Sequence, residues 1–266
     1  MTPVLAPAKI NLALVAGPKR PDGMHEVSTV LQRISLADTL ELELAEELAV
    51  EGFAEDTLIR RALEKLAQRG NVHPGWRVKL EKQIPVAAGL GGGSSDAAAA
   101  LRLANSLLDA PLSNGELHTL AAELGADVPF FLTSGPQLGE GDGTELSPLD
   151  LPQDYWVLLV VPNGERKSST AAVYEEFDRR GGDVGFEARR ARLREALAVG
   201  DLSSLPPNDL ASSPLSDELR ELGALRADVS GAGPAVYGLF AEESEAVHAH
   251  AVLASRGQIW LAAPAW

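Results

Sequence analysis

Three short stretches hold the residues that could do chemistry. The first is "PVAAGLGGGSSDAAAAL", residues 85–101, in which four glycines fall within positions 89–93, ahead of two serines and a run of alanines. Glycine is the poorest ordinary helix former and alanine the best, so the chain changes its local preference abruptly here. A glycine loop that runs into a helix N-terminus makes an anion site. The first N–H groups of the helix have no partners within it, the macrodipole adds positive potential, and glycine lets the backbone approach a phosphate with no Cβ in the way. Ser94 and Ser95 can cap the helix, bind phosphate oxygens or face a magnesium ion. A Walker A loop is excluded, because no lysine stands in "GGGSS". A dinucleotide fingerprint fails as well: counted from Gly89, its third glycine falls on Ser94. A plain tight turn capped by serine is the simpler alternative, and so many glycines before a strong helix favour phosphate binding over it.

The second stretch, "APAKINL", sets Lys9 and Asn11 on alternate positions of a strand, facing one side. Isolated lysines are usually solvated, but Ile10, Leu12 and Leu14 mark this strand as buried. The third, "LGADVPFF", puts Asp127 just past a helix stop and before Pro129. A further cluster, "SGAGP" at 230–234, joins two strands and by itself reads equally well as a hairpin loop.

Elements that would position these residues follow from periodicity. "VLAPAKINLALV" is β-like, and residues 25–44 read as two strands around Ala37 and Asp38. Residues 57–68 have helical spacing, and "WRVKLEK" alternates like a half-buried strand. Behind the glycines, Ala97, Ala100, Leu101, Ala104, Leu107 and Leu108 share a helical face. "SNGE" at 113–116 is a capping box that opens another helix. "GPQLGEGDGTELSPL" is a glycine-punctuated turn region with room for strands, and "YWVLLVVP" is a buried strand that opens a second region. Helices follow over 169–180, 187–199 and 214–222, and the chain closes as strand, loop, strand, helix (244–255) and strand. The mixed order indicates an α+β fold, cut near residue 150 into domains 1–150 and 151–266.

Composition narrows the function. The 266 residues carry a net charge of −15 and no cysteine. Disulfides, zinc–thiolate sites and cysteine nucleophiles are excluded, and a reducing cytoplasm is the expected setting. An acidic surface repels nucleic acid and anionic lipid, so an anionic ligand must meet a local concentration of positive potential. The start of the chain lacks a basic segment leading into an apolar core, and no apolar run approaches the ~20 residues of a membrane span. A soluble, cytoplasmic protein with no nucleic-acid or membrane partner is expected. His248 and His250 lie two apart on a helix and share no face, which argues against a metal site there.

In this order, "PAKINL", the glycine loop and "SGAGP" resemble the three motifs of the GHMP kinase superfamily, over nearly the whole chain. The triple glycine before Ser-Ser-Asp, "KRPDGMHEV" at 19–27 and "LGADVPFF" resemble the branch that acts on a cytidine-diphosphate sugar alcohol. The resemblance implies a ribosomal-protein-like α+β N-terminal ATP-binding domain and a ferredoxin-like C-terminal substrate domain. It implies ATP-dependent phosphorylation of the 2-hydroxyl of 4-diphosphocytidyl-2-C-methyl-D-erythritol, a step toward isoprenoid precursors outside the mevalonate route, with Mg²⁺; the sequence leaves a monomer and a weak dimer both open.

By the same resemblance Asp127 is the general base and Lys9 its catalytic partner. ATP is held by Pro85, Val86, Ala87, Ala88, Gly89, Leu90, Gly91, Gly92, Gly93, Ser94 and Ser95, with Lys82 and Thr57 near the nucleoside. For Lys82 a solvated strand edge is the alternative. Asn11, Met24, His25, Thr170 and Tyr174 match substrate positions, Tyr174 as one wall of a cytosine sandwich. The alternative for Tyr174 is a helix core residue beside Val173 and Phe177. Met24 stands where the family has a tyrosine, and Thr57 where it has an asparagine. Another GHMP activity, of homoserine or mevalonate type, and a non-catalytic nucleotide-binding relative are the competing readings.

Overall fold

A computed structural model describes residues 3–53, 58–164 and 169–266. Thr57, expected near the nucleoside, lies outside the described residues. The described residues form two compact units: one takes those within 1–8, 36–86 and 91–134, the other those within 9–35, 87–90 and 135–266. Compactness thus divides the chain at other places than a cut near residue 150, because β1 (Val4–Lys19) and β2 (His25–Leu44) each supply residues to both units.

In the first unit the C-terminal half of β2 pairs antiparallel with β4 (Trp76–Glu81), from Thr39 opposite Glu81 to Leu44 opposite Trp76. The short β3 (Ala49–Glu51) adds in parallel to β4. The alternation expected of β4 is present: Trp76, Val78 and Leu80 are buried while Arg77, Lys79 and Glu81 are exposed. α1 (Leu58–Gly70) buries Ile59, Ala62, Leu63, Leu66 and Ala67, a stripe at helical spacing. It packs against α2 (Gly92–Ser106), which is buried from Ser95 to Leu101 without a break. Alanine at four of those positions lets neighbouring elements come close on every side. α3 (Asn114–Ala122) starts at the expected capping box, with Ser113 as N-cap and Glu116 closing the reciprocal bond.

β2 is one unbroken strand, not two around Ala37 and Asp38. Aspartate is depleted in strands and reads as a break. Here its carboxylate is engaged from inside the strand by the chain around residue 83, so no turn is needed to satisfy it.

In the second unit the N-terminal half of β2 pairs with β5 (Gln137–Gly141), which forms a hairpin with β6 (Glu145–Pro148). The glycine-punctuated region is this hairpin. A second sheet has the order β10-β7-β9-β8, all antiparallel, from β7 (Trp156–Pro162), β8 (Arg226–Val229), β9 (Val236–Phe240) and β10 (Gly257–Ala262). α4 (Thr170–Arg179), α5 (Phe186–Val199) and α6 (Pro214–Glu221) lie between β7 and β8, and α7 (Glu243–Leu253) lies between β9 and β10. This is the ferredoxin-like arrangement. Its core joins Leu158, Val160, Val236 and Phe240 to Leu219 of α6 and Leu253 of α7. β11 (Pro264–Ala265) pairs with β2 at Ile34 and Arg33. Among the described residues no helix is long and apolar enough to cross a membrane.

Candidate active site

The Lys9 strand and two loops meet in the second unit. Lys9 and Asn11 face the same side, each 4% exposed, and the Lys9 ammonium donates to Asn11 Oδ1 at 2.6 Å. Asn11 Nδ2 in turn donates to Thr29 Oγ1 at 2.8 Å, and that hydroxyl donates to the Ala13 carbonyl at 2.8 Å. Asn11 is thereby fixed with its amide oxygen toward the lysine. The Lys9 N–H donates to the Leu90 carbonyl at 2.9 Å. The Ser230 hydroxyl accepts from the Asn11 N–H at 3.3 Å and donates to the Gly89 carbonyl at 3.0 Å. Ala235 N–H donates to the Ala88 carbonyl at 3.1 Å.

Two glycines permit this approach. A Cβ on Gly89 would lie 2.3 Å from the Ser230 carbonyl oxygen. One on Gly231, whose φ is +59°, would lie 3.3 Å from Asn11 Oδ1 and 3.6 Å from Lys9 Nζ. The "SGAGP" loop is therefore more than a hairpin connection: it is bonded to the Ala88–Gly89 backbone and to the lysine strand.

The first unit holds the helical half of the glycine loop. Gly91 is the N-cap of α2, in the left-handed region at φ 69°, and no side chain caps the helix. Of the roles open to Ser94 and Ser95, capping is the one the helix does not use. The helix starts at Gly92, so both serines lie inside its first turns, and Ser95 N–H already donates to the Gly91 carbonyl at 2.9 Å. With no capping side chain, the first-turn donors suit an external anion. Ser95 is 2% exposed, and its hydroxyl has no hydrogen-bond partner among the described residues.

The two first-turn glycines differ. Around a Cβ on Gly93 there is nothing within 4 Å, whereas one on Gly92 would meet Ile84 at 3.1 Å and Lys82 Nζ at 3.3 Å. Gly93 thus lines open space, and Gly92 packs inward.

Lys82 is no solvated strand edge. Its ammonium donates to Asp38 Oδ2 at 2.5 Å and to Asp96 Oδ2 at 2.7 Å, and both carboxylates are 0% exposed. Burial works against its charge, but Asp96 and Asp38 outweigh that and hold its pKa above the usual lysine value. It also lies over the Phe53 ring, 5.9 Å from the centroid. Asp127 belongs to this unit too, half-buried in the turn before the 3₁₀ segment Pro129–Leu132.

Of the remaining candidates, Tyr174 meets His25 in the second unit. The Tyr174 ring stacks on the imidazole at 4.5 Å and 20°, and Phe177 meets it edge-on at 6.0 Å. Asp178 Oδ1 lies 2.7 Å from His25 Nε2. Asp178 escaped the sequence reading, although it stands four residues after Tyr174 and so shares its helix face. Tyr174 also packs, with Val173, against Leu14, Ala16, Phe177 and Leu210, so the core reading of this ring holds alongside the stack. Thr170 opens α4 and is exposed, just after the Ser169 N-cap. Met24 is 50% exposed in a turn, where its N–H donates to Asp22 Oδ1 at 2.9 Å.

The GHMP kinases N terminal domain matches residues 57–135, and the GHMP kinases C terminal domain matches residues 210–258. A 4-diphosphocytidyl-2-C-methyl-D-erythritol kinase of Rhodococcus jostii is 40% identical over 279 residues, covering 96% of this chain and 88% of its own. One from Nocardia farcinica is 42% identical over 282 residues, covering 96% and 91%. A crystal structure of 4-(cytidine 5'-diphospho)-2C-methyl-D-erythritol kinase is 34% identical, with a TM-score of 0.82 and full coverage of both chains. A homoserine kinase from Cytophaga hutchinsonii, at 16% identity and a TM-score of 0.75 over 98% and 94% of the two chains, shares the fold. Identity at this level across almost the whole chain goes with the two matched domains, and the chain belongs to the 4-diphosphocytidyl-2-C-methyl-D-erythritol kinases of the GHMP kinase superfamily.

Proposed function

We propose that the chain transfers the γ-phosphoryl group of ATP to the 2-hydroxyl of 4-diphosphocytidyl-2-C-methyl-D-erythritol, giving the 2-phosphate and ADP. The observation that carries this reading is the buried Lys9–Asn11 pair, hydrogen-bonded to Leu90 of the glycine loop and, through Ser230, to Gly89. A fixed ammonium next to a phosphate loop suits charge developing on a transferred phosphoryl group and its acceptor.

The acceptor is a hindered tertiary alcohol. In this reading its proton passes to the Asp127 carboxylate as the oxygen–phosphorus bond forms, and the bond to ADP breaks. Lys9 orients that carboxylate and stabilises the developing alkoxide. Residues 85–95 hold the phosphates through backbone N–H groups and the α2 dipole, and Lys82 and Thr57 serve the nucleoside. His25, Tyr174, Met24, Thr170 and Asn11 hold the cytidine substrate. In this reading residues 1–150 serve ATP and residues 151–266 serve the substrate.

Mg²⁺ fits this chemistry. It commonly takes one or two protein ligands and fills its shell with phosphates and water. Among the described residues no three His, Cys, Asp or Glu side chains converge on a metal position. The buried, unpartnered Ser95 hydroxyl is the donor available beside the loop. When bound, the ion supplies charge neutralisation on the transferred group.

The setting is a cytoplasmic enzyme of small molecules, a monomer or weak dimer. The test is ADP release by the purified chain with ATP and the cytidine substrate, with homoserine, or with mevalonate. Release with the cytidine substrate alone supports the reading. Release with either other acceptor, or with none, rejects it.

A further inference from the structure

We propose that Asp38 is a positioning residue for nucleotide binding, fixing the Lys82 ammonium and the backbone that leads into the glycine loop. The proposal rests on the reading of that loop as the ATP phosphate site and adds a residue that no motif contains.

One carboxylate holds three successive residues. Asp38 Oδ2 accepts from Lys82 Nζ at 2.5 Å, while Oδ1 accepts from Gln83 N–H at 2.5 Å and from Ile84 N–H at 2.8 Å. Pro85 and the loop follow directly. Asp96, in α2, takes the same ammonium at 2.7 Å. The ammonium therefore ties β2 to the helix that the loop opens. A Cβ on Gly92 would lie 3.3 Å from Lys82 Nζ, which places this charge against the first turn of α2.

Fold stability is a weak reason for such a cluster. Two carboxylates with no exposed surface and one ammonium cost much to desolvate, and apolar residues of similar size are often as stable or more so. The Lys82 side chain is 15% exposed, so its charge is not sealed away. Removal of the lysine would leave two negative charges under a site meant for polyphosphate. Held in place, it neutralises one of them and halves the negative charge beside the helix start.

The test compares Asp38→Asn with the unaltered chain, by calorimetric titration with Mg²⁺–ATP and by steady-state kinetics. Asparagine keeps an oxygen for the two N–H groups but turns donors toward Lys82. We expect the Kd and KM for ATP to rise roughly tenfold, with kcat and the KM for the cytidine substrate nearly unchanged. Added to Lys82→Met, Asp38→Asn should give no further loss of ATP affinity, because the two residues act as one unit.

A lowered melting temperature with unchanged ATP affinity would make Asp38 a fold staple and overturn the proposal. If Asp38→Asn does not fold, the Lys82→Met/Asp38→Asn pair, which removes one buried carboxylate along with its counter-charge, decides the matter: wild-type ATP affinity in it overturns the proposal. Failure of the unaltered chain to bind ATP rejects the loop reading itself and the proposal with it.

Discussion

The Tyr174 ring lies 4.5 Å from the His25 imidazole and nearly parallel to it, while Asp178 sits 2.7 Å from the same imidazole. One side chain is thus held by a stack and a hydrogen bond, both supplied by α4. Stacks of this kind contribute ~0.5–1.5 kcal/mol beyond buried area. Tyr174→Ala should raise the KM for the cytidine substrate by about two- to tenfold and leave the KM for ATP alone. Tyr174→Phe should stay near wild type. His25→Ala combined with Tyr174→Ala should cost less than the two losses multiplied, since each removes the same stack. An unchanged KM with a lower Tm would assign the ring to the Leu14–Phe177 core alone.

A side chain at Gly231 would crowd the Lys9–Asn11 pair. At φ +59° an alanine there is strained by roughly 1–2 kcal/mol. Its methyl would also press on Asn11 Oδ1 at 3.3 Å. Gly231→Ala should lower kcat by at least about tenfold through displacement of Lys9 or Asn11. Stopped-flow or steady-state turnover, read together with a melting curve, checks it. Full turnover in a folded variant would show that the lysine tolerates the crowding.

Gly93 tests phosphate approach more cleanly than Gly92, whose Cβ would push on Ile84 and Lys82 instead of on a ligand. Gly93→Ala meets open space and should stabilise the free protein by up to about 1 kcal/mol through helix propensity. The same methyl stands where a phosphate would approach the first-turn N–H groups, so ATP affinity should fall. A raised Tm with weaker ATP binding is the expected pair of results. A raised Tm with unchanged binding would move the phosphates off this turn.

Asp127→Asn keeps the shape and removes the proposed base. Turnover should fall by about 10²–10⁴, with ATP affinity little altered. Lys9→Ala should cost a comparable factor. The double variant should lose far less than the product of the two if the pair acts as a unit. Simple multiplication of the two effects would separate the roles of the residues.

The Lys9 and Asn11 pairing could be read from alternation, because a strand fixes which side chains share a face. The capping box at Ser113 and the exposed-buried pattern of β4 were equally local. Contacts between distant positions were not. Gly89 and Ser230 are 141 positions apart, and His25 and Asp178 are 153 apart. Asp38 was misread because its partners lie 44 to 46 positions on, so a buried acceptor looked like a strand break. Which role the two serines take was not legible, because a left-handed glycine starts the helix ahead of them.

Helix α2 is buried at every position from Ser95 to Leu101, whereas α4 buries only Phe177. Over that span α2 offers no side on which neutral changes can accumulate. In a duplicated gene drifting toward a new acceptor, the alanine helix behind the glycine loop would stay fixed in side-chain volume. Substitutions could collect on α4 instead, around Tyr174 and Thr170. Nucleotide use would then be the inherited constant of such a lineage, and acceptor choice its adjustable part.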